Sequence, residues 1–396
     1  MRNPIALAAA VLLVVLIRGV APLADVPKDV PKGAPKDAWP IITADRTIAL
    51  PADHVSHPDY KIEWWYYTGN LDTPEGRRFG YQVTFFRVGV NRTPPNASRW
   101  AVRDLHMAHF AVSDLSAGRF HVFDRLQREG AGWAGAATDR YAVWNGTWAV
   151  RANPDGSHHL QARHAGDADN ADSADSASKQ QIALDLTLTN TTRAMAHGRD
   201  GYSRKGREEG NASAYYSLPR LVTRGTLEID GKRHEVTGSS WMDHEFGSSV
   251  LEADQVGWDW FGLQFDDGRE LMLYQMRRRD GSRDPFSSGT LMKRDGSIVR
   301  LTRDDYVLEP LEAWRSEVTG TAYPTRWRVS IPGQGLTFEV RAAMKNQELH
   351  TPRSTNVTYW EGAVDVEGVN PSNGLRGRGY AELTGYNGVA LSEALR

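Results

Sequence analysis

The repeated spacing of short strand-like segments, each bounded by turn residues, constrains the fold more than any other feature. In QIALDLTLTN (181–190), apolar residues at every second position would lie on one buried face of a strand. Turn dipeptides such as Asp230-Gly231 and Asp267-Gly268 recur between segments of this kind. No window shows a sustained helical period. The sequence therefore predicts an all-β protein of antiparallel strands, arranged as barrels or sandwiches.

Composition narrows the classes of partner. The net charge of the 396 residues is −2, so the chain has no excess of positive charge with which to bind a polyanion. We therefore expect no nucleic-acid partner. The absence of cysteine excludes disulfides, thiolate nucleophiles and cysteine–zinc sites. The 13 tryptophans are many for this length, and aromatic side chains concentrate in strands and in ligand cavities. Composition thus gives a first indication of a cavity for a hydrophobic small molecule.

The N-terminus predicts export. Arg2 precedes an uninterrupted apolar run from residue 5 to residue 17, which is shorter than the roughly 20 residues of a membrane span but fits the core of a signal peptide. Residues 1–24 are therefore a predicted signal peptide or, alternatively, an uncleaved signal anchor. Residues 25–45, rich in proline, lysine and aspartate, form a predicted linker. We expect a periplasmic or secreted protein, free or tethered to the inner membrane.

The densest polar motif is GSSWMDHEFGS (238–248). On a strand, Trp241, Asp243 and Glu245 would share one face, with His244 on the other. Two carboxylates on one face of an apolar cavity cannot both ionise readily, so one would have a raised pKa and act as an acid. Asp243, His244 and Glu245 are the predicted catalytic residues. An exposed strand end with an acidic edge is the alternative interpretation of this motif.

Three stretches combine aromatic residues with glycine and an acidic residue: EWWYYTGNL (63–71), GWDWFGLQF (257–265) and TYWEGAVDVEG (358–368). A fourth stretch, AYYSLPR (214–220), has two adjacent tyrosines. Rings around isolated carboxylates suit an apolar substrate that must be protonated, or a cavity that only binds an apolar molecule. Each stretch alone is equally typical of barrel packing. The predicted ligand-binding residues are Glu63, Trp65, Tyr67, His109, Tyr215, Tyr216, Trp241, Trp258, Trp260 and Trp360.

Metal and hydrolase signatures are weak. His106 and His109 are three residues apart, a spacing that brings two ligands together on a helix but not on the strand predicted there. The sequence has no G-x-S-x-G element and no glycine-rich phosphate loop. We therefore predict no metal site, and no cofactor.

Two segments are interpreted as insertions. Residues 166–178, GDADNADSADSAS, are low in complexity and acidic, which predicts a surface loop. Residues 197–213, HGRDGYSRKGREEGNAS, are charged and contain glycine. They are either a solvent loop or a lid over the mouth of a cavity.

Taken in order, EWWYYTGNL, GYQVTFFR, AHFAVSD, AYYSLPR, WMDHEFG, GWDWFGLQF, YWEGAVDVEG and GYAELTGY resemble the motifs of the carotenoid 1,2-hydratase (hydroxyneurosporene synthase) and AttH family. The resemblance runs from about Tyr60 to about Tyr386. It implies two consecutive lipocalin-like antiparallel β-barrels, placed at residues 46–235 and 236–396.

The resemblance implies two kinds of function. Some members hydrate an isolated carbon–carbon double bond of an acyclic carotenoid, whereas others are exported proteins associated with ABC-type transporters. Our main prediction is an exported protein that binds a lipid, terpenoid or polyene, with a membrane transporter as a further partner. The alternative is a hydratase in which Asp243 protonates the alkene, Trp241 or Trp258 stabilises the carbocation, and Glu245 or His244 holds the water.

Overall fold

The computed structural model describes residues 38–94, 96, 98, 100–166, 181–249, 251–369 and 374–388. The predicted signal peptide or anchor, the linker up to residue 37 and most of the predicted loop 166–178 lie outside these residues. Among the described residues, no helix has the length and apolar character that crossing a membrane requires. Three complete 3-10 turns lie within the described residues, at Ala52–His54, Arg303–Asp305 and Pro332–Gln334.

Two antiparallel sheets make up the rest of the fold. The first sheet contains β1 (Ile62–Asp72), β2 (Arg78–Gly89), β3 (Asp104–Asp114), β4 (Arg119–Arg128), β5 (Ala134–Ala136), β6 (Ala142–Asn145), β7 (Trp148–Ala152), β8 (His158–Ala165), β9 (Gln181–Asn190), β10 (Met195–Ala196), β11 (Tyr202–Arg204), β12 (Ala212–Ile229) and β13 (Lys232–Gly247). The second sheet contains β14 (Gln255–Phe265), β15 (Glu270–Arg278), β16 (Ser288–Met292), β17 (Ile298–Thr302), β18 (Val307–Arg315), β19 (Ala322–Ile331), β20 (Leu336–Ala342), β21 (Glu348–His350), β22 (Thr358–Gly368) and β23 (Arg376–Leu383).

The first sheet forms a nearly closed barrel. Its strand order is β4-β3-β2-β1-β13-β12-β9-β8-β7-β6-β5, with β10 and β11 paired to β12. The two ends of this order approach each other, and the Asn145 side chain on β6 donates a hydrogen bond to the His106 carbonyl on β3 at 3.1 Å. Inward-facing residues such as Trp65, Tyr81 and Leu186 are buried in its core. Alternation along each strand supplies this apolar inner face.

The second sheet forms a half-barrel with the order β17-β16-β15-β14-β23-β22-β20-β19-β18, and β21 pairs with β22. Its own core contains Phe261, Trp327 and Trp360. The predictions of an all-β fold and of two consecutive lipocalin-like barrels are confirmed. The predicted boundary at 235/236 falls inside β13, which pairs with both β1 and β12 of the first sheet. The chain passes to the second sheet between Gly247 and Gln255.

The outward face of the first sheet packs against the second sheet, and we call the space between them the interface. Most of β1, residues 212–219 of β12 and residues 240–247 of β13 are therefore buried on both faces, and the run WWYY lies in the doubly buried part of β1. The sheets approach closely at Gly80, where a Cβ atom would lie 2.6 Å from the Tyr380 hydroxyl. Across the interface, Asn70 donates to the Gly379 carbonyl at 3.1 Å, and Gln264 donates to the Ser240 carbonyl at 2.9 Å.

Candidate active site between the two sheets

Strand register aligns the central residues of the site. Tyr66 on β1 lies opposite Asp243 on β13, and Asp243 lies opposite Ser217 on β12. Residues opposite each other on neighbouring strands point to the same side of the sheet. Tyr66, Asp243 and Ser217 therefore form a row across three strands that faces the second sheet. Trp64, Glu245 and Tyr215 form the next row.

Asp243 is buried and accepts three hydrogen bonds. The Tyr215 hydroxyl donates to Oδ2 at 2.5 Å, the Trp241 indole donates to Oδ1 at 2.6 Å, and the Ser217 hydroxyl also donates to Oδ1. These donors favour the carboxylate, but burial outweighs them and, with the nearby charge of Glu245, raises the pKa of Asp243 to about 7. Near neutral pH, Asp243 is thus partly an undissociated acid whose conjugate base is already surrounded by donors.

Two further carboxyl groups reach the interface from the second sheet. Glu361 on β22 and Glu382 on β23 lie opposite each other. Burial and the neighbouring Glu382 raise the pKa of Glu361 well above its usual range. Desolvation, with the charges of Asp243 and Glu245, raises the pKa of Glu382 to about 7, even though the Trp258 indole donates to it at 2.8 Å. Three carboxyl groups with raised pKa values therefore face one interface.

Aromatic rings enclose these acids. Tyr66, Tyr215, Trp241 and Trp260 are buried in one cluster that both sheets build, and Trp64 and Trp258 pack against it while remaining partly exposed. The Tyr66 and Trp260 rings meet edge to face with centroids 5.2 Å apart. The Trp260 indole donates to the Tyr215 hydroxyl at 3.0 Å, which fixes this ring beside Asp243. Such a site suits an apolar molecule.

Glu245 is an ion-pair partner rather than a free acid. The Lys205 ammonium lies 3.3 Å from its carboxylate, and the Ser213 hydroxyl donates to it. Burial alone would lower the pKa of Lys205, but Glu245 raises it, so the lysine stays charged. Lys205 belongs to the segment 197–213, which was predicted as a solvent loop or a lid. In the structure this segment includes β11 and carries Lys205 over the Tyr274 ring at 4.3 Å.

His109 links the two sheets at the flank of the site. Its Nδ1 lies 2.8 Å from the Tyr359 hydroxyl and its Nε2 lies 3.0 Å from Ser354 Oγ. Burial lowers the pKa of His109 to about 3, so the imidazole is neutral. This neutral ring can orient Tyr359 by a hydrogen bond.

The structure divides the predicted site residues among three places. Asp243, Glu245, His109, Tyr215, Trp241, Trp258 and Trp260 lie at the interface. Glu63, Trp65, Tyr67, Tyr216 and His244 point into the first barrel. Trp360 lies in the core of the second sheet, where its indole donates to the Lys345 carbonyl at 2.7 Å.

His244 belongs to a separate buried network. Its Nε2 lies 2.9 Å from Glu63 Oε1, and its Nδ1 lies 3.1 Å from the Tyr216 hydroxyl. Alternation along β13 turns it away from Asp243, so it cannot hold a water at the interface. The predicted role of His244 in the hydratase alternative therefore has no geometric support.

One group of side chains in the described part of the chain has the spacing of a metal site: His57, Glu63 and His244. Both imidazoles already hydrogen-bond to the same Glu63 oxygen, at 3.0 and 2.9 Å. The Arg87 guanidinium donates to the other oxygen at 3.1 Å and neutralises the carboxylate. This arrangement favours a buried ion-pair network over a metal centre, because the ligand lone pairs are committed to protein hydrogen bonds.

The sequence prediction missed Tyr66, Tyr359, Glu361 and Glu382. The signal was present, because Glu361 and Trp360 are adjacent in YWEGAV and alternation places them on opposite faces. The prediction selected the tryptophan, which is a core residue, and passed over the glutamate. Glu382 lies in GYAELTGY, a segment that also contains two tyrosines, and the prediction passed over this glutamate as well.

Known proteins resemble this chain in sequence and in fold. A family model described as AttH-like matches residues 41–386. An AttH protein from Nitrosomonas europaea, known from its crystal structure, is 32% identical in sequence to this chain. The structural match has a TM-score of 0.76 and covers 87% of this chain and 99% of that chain. Kievitone hydratase from Nectria haematococca is 17% identical, with a TM-score of 0.62 over 89% and 95% of the two chains. At that identity the likeness shows a common fold alone.

This chain also matches, in sequence, a protein whose name states its reaction. The dehydratase asqC of Emericella nidulans is 22% identical over 216 residues, which are 52% of this chain. The matched region covers 59% of the dehydratase, so this chain spans about three-fifths of that relative.

Proposed function

Since the chain belongs to the AttH-like family, which it matches over residues 41–386, we propose that it is a hydro-lyase. It adds water to a carbon–carbon double bond of an apolar substrate, or removes water to form one, between the two sheets. The observation that carries this proposal is Asp243, a buried carboxyl group with a pKa raised to about 7 among aromatic rings. Protonating an isolated alkene requires an undissociated acid in a site that keeps bulk water away.

In the hydration direction, Asp243 transfers its proton to one alkene carbon, and the positive charge develops on the other carbon. The donors Tyr215, Ser217 and Trp241 stabilise the carboxylate that is left. The faces of Tyr66, Trp258 and Trp260 stabilise the cation, by about 0.5–2 kcal/mol for each ring that contacts it. The oxygen of water then bonds to the cation and releases a proton. Dehydration follows the same steps in reverse.

The relatives support this reaction class over binding alone. A dehydratase matches half of the chain in sequence, and a hydratase has the same fold. The two names describe the two directions of one reaction. The hydratase alternative is therefore preferred to the main prediction of a binding protein, although an apolar ligand at the interface is common to both. The transporter partner and the periplasmic or secreted location stay predictions.

Isotope labelling tests the proposal. The purified protein is incubated in ¹⁸O-water with lycopene, with squalene and with kievitone, and each extract is analysed by mass spectrometry. We expect one class of compound to gain one labelled water in the presence of the wild-type protein and not with Asp243→Asn. Glu367→Gln, an exposed position on β22, is the matched control. A protein that binds these compounds and returns all of them unlabelled would instead be a binding protein.

A further inference from the structure

Beside Asp243, several buried polar atoms make no hydrogen bond of regular geometry with any described residue. They are the hydroxyl groups of Tyr66 and Thr68, Oε1 of Gln82 and both carboxyl oxygens of Glu361. These four side chains are between 1% and 4% exposed. Buried polar groups in folded proteins are almost always paired, so several unpaired atoms in one region require an explanation.

The four side chains face one another across the interface. Tyr66 and Thr68 alternate onto the outward face of β1, and Gln82 on β2 lies opposite Thr68. The Gln82 amide donates to the Tyr359 hydroxyl at 3.3 Å, and Tyr359 is on the same face of β22 as Glu361. After burial, the charge of Glu361 is the largest cause that raises the pKa of Tyr66. Thus the Tyr66 hydroxyl and the Glu361 carboxyl are near neighbours.

The other buried acids differ from Glu361. Glu63 accepts hydrogen bonds from Ser56, His57 and Arg87 in addition to His244. Asp243 accepts three. The Tyr66 and Tyr359 hydroxyls lie near enough to Glu361 to act on its pKa, but neither Glu361 oxygen makes a hydrogen bond of regular geometry. Glu361 is thus the acid of the site whose oxygens are least committed to protein donors. A bound water commonly makes about three hydrogen bonds to polar groups of this kind, with donors and acceptors on different strands.

From this geometry we infer that Tyr66, Thr68, Gln82 and Glu361 form a binding site for the reacting water. The inference rests on the proposed function and adds the second half of the reaction. As the water oxygen bonds to the cation, one water proton passes to one oxygen of Glu361. The other oxygen of Glu361 releases its proton to Tyr66, whose own hydroxyl proton passes to the Asp243 carboxylate opposite it. Water and alkene become alcohol, and all three side chains return to their starting states.

A crystal structure of the wild-type protein, at a resolution that shows ordered water, tests the binding site without any substrate. We expect a water within hydrogen-bond distance of Glu361 and of at least one of Tyr66, Thr68 and Gln82. Direct pairing of these side chains with one another, with no water between them, would overturn the inference. Such a result would leave the proposed reaction standing if the labelling experiment succeeds.

Thermal unfolding gives a second test. Thr68→Val removes a buried hydroxyl without changing the shape of the side chain. The matched control is Thr223→Val, whose buried hydroxyl bonds to the Leu221 carbonyl at 2.9 Å and to Ser240 at 2.7 Å. If water satisfies Thr68, both variants lower Tm by a few degrees. A rise in Tm for Thr68→Val alone would show that the hydroxyl is truly unpaired and contradict the water site.

Isotope exchange separates the two halves of the reaction. With the panel compound that the wild type hydrates, in D₂¹⁸O, Glu361→Gln is expected to keep deuterium exchange at the double bond and to lose at least tenfold in ¹⁸O incorporation. Asp243→Asn is expected to lose both. Equal loss of the two labels in Glu361→Gln would contradict the assignment of Glu361 to the water. If water occupies the site but no compound in the panel is labelled, the proposed function fails and the water site does not.

Discussion

Tyr66 and Asp243 lie directly opposite each other on β1 and β13, and both side chains face the second sheet. Asp243 is surrounded by donors, whereas the Tyr66 hydroxyl makes no hydrogen bond of regular geometry with any described residue. The pair joins two parts of the interface, the acid with its three donors and the unpaired polar groups around Glu361.

Replacing the acid should remove the chemical step. Asp243→Asn keeps the size of the side chain but cannot donate an acidic proton, so we expect kcat to fall by about 10²–10⁴-fold. The amide also presents N–H groups to donors, which should cost about 1–3 kcal/mol of unfolding free energy. Steady-state kinetics and chemical denaturation measure the two effects. Retention of wild-type turnover by this variant would exclude Asp243 as the acid.

Stability should depend on pH through Asp243. Because the pKa of this group is raised to about 7 in the folded chain, the folded state holds a proton that the unfolded state releases above its ordinary pKa near 4. The stabilisation is complete below pH 4 and is lost as pH rises through about 7, by roughly 1.4 kcal/mol per pH unit in that window. Denaturation of the wild type and Asp243→Asn at several pH values measures the difference. A wild-type advantage that grows from pH 4 to pH 7 would have the opposite sign and refute this assignment.

The charge of Lys205 should tune the acid. The ammonium lies at 3.3 Å from Glu245, the carboxylate whose charge raises the pKa of Asp243. Lys205→Met removes the compensating charge, so we expect the alkaline limb of the pH–rate profile to move upwards. Lys205→Arg keeps the charge and serves as the control. An unchanged profile in the methionine variant would mean that this ion pair does not act on Asp243.

His244 should matter for stability and not for the reaction. It lies between Glu63 and Tyr216 inside the first barrel. His244→Ala leaves both partners without this contact and opens a cavity, so we expect a loss of about 2–4 kcal/mol in unfolding free energy. The kcat of the folded protein, measured well below its Tm, should stay within about threefold of the wild type. A loss as large as that of Asp243→Asn would place His244 in the reaction after all.

Alternation along the strands correctly predicted which side chains share a face, and so brought Trp241, Asp243 and Glu245 together. It could not predict what packs on each face. Both faces of β1 and β13 are buried, one inside the barrel and one against the second sheet. The prediction therefore placed Glu63, Trp65 and Tyr67 in the same site as residues on the opposite face of the sheet. Contacts such as Asn70 with Gly379 join residues 309 positions apart, a relation that local patterning does not encode.

Infrared difference spectroscopy between the wild type and Asp243→Asn tests the central claim most directly, because the C=O stretch of a protonated carboxyl group is resolved from that of a carboxylate. The spectra are recorded as pH rises from 5 to 9. The predicted result is a protonated-carboxyl band at pH 5 that disappears with a midpoint at about pH 7 and is missing from the variant. A wild-type Asp243 that is already ionised at pH 5 would contradict the account, since the site would then lack its acid.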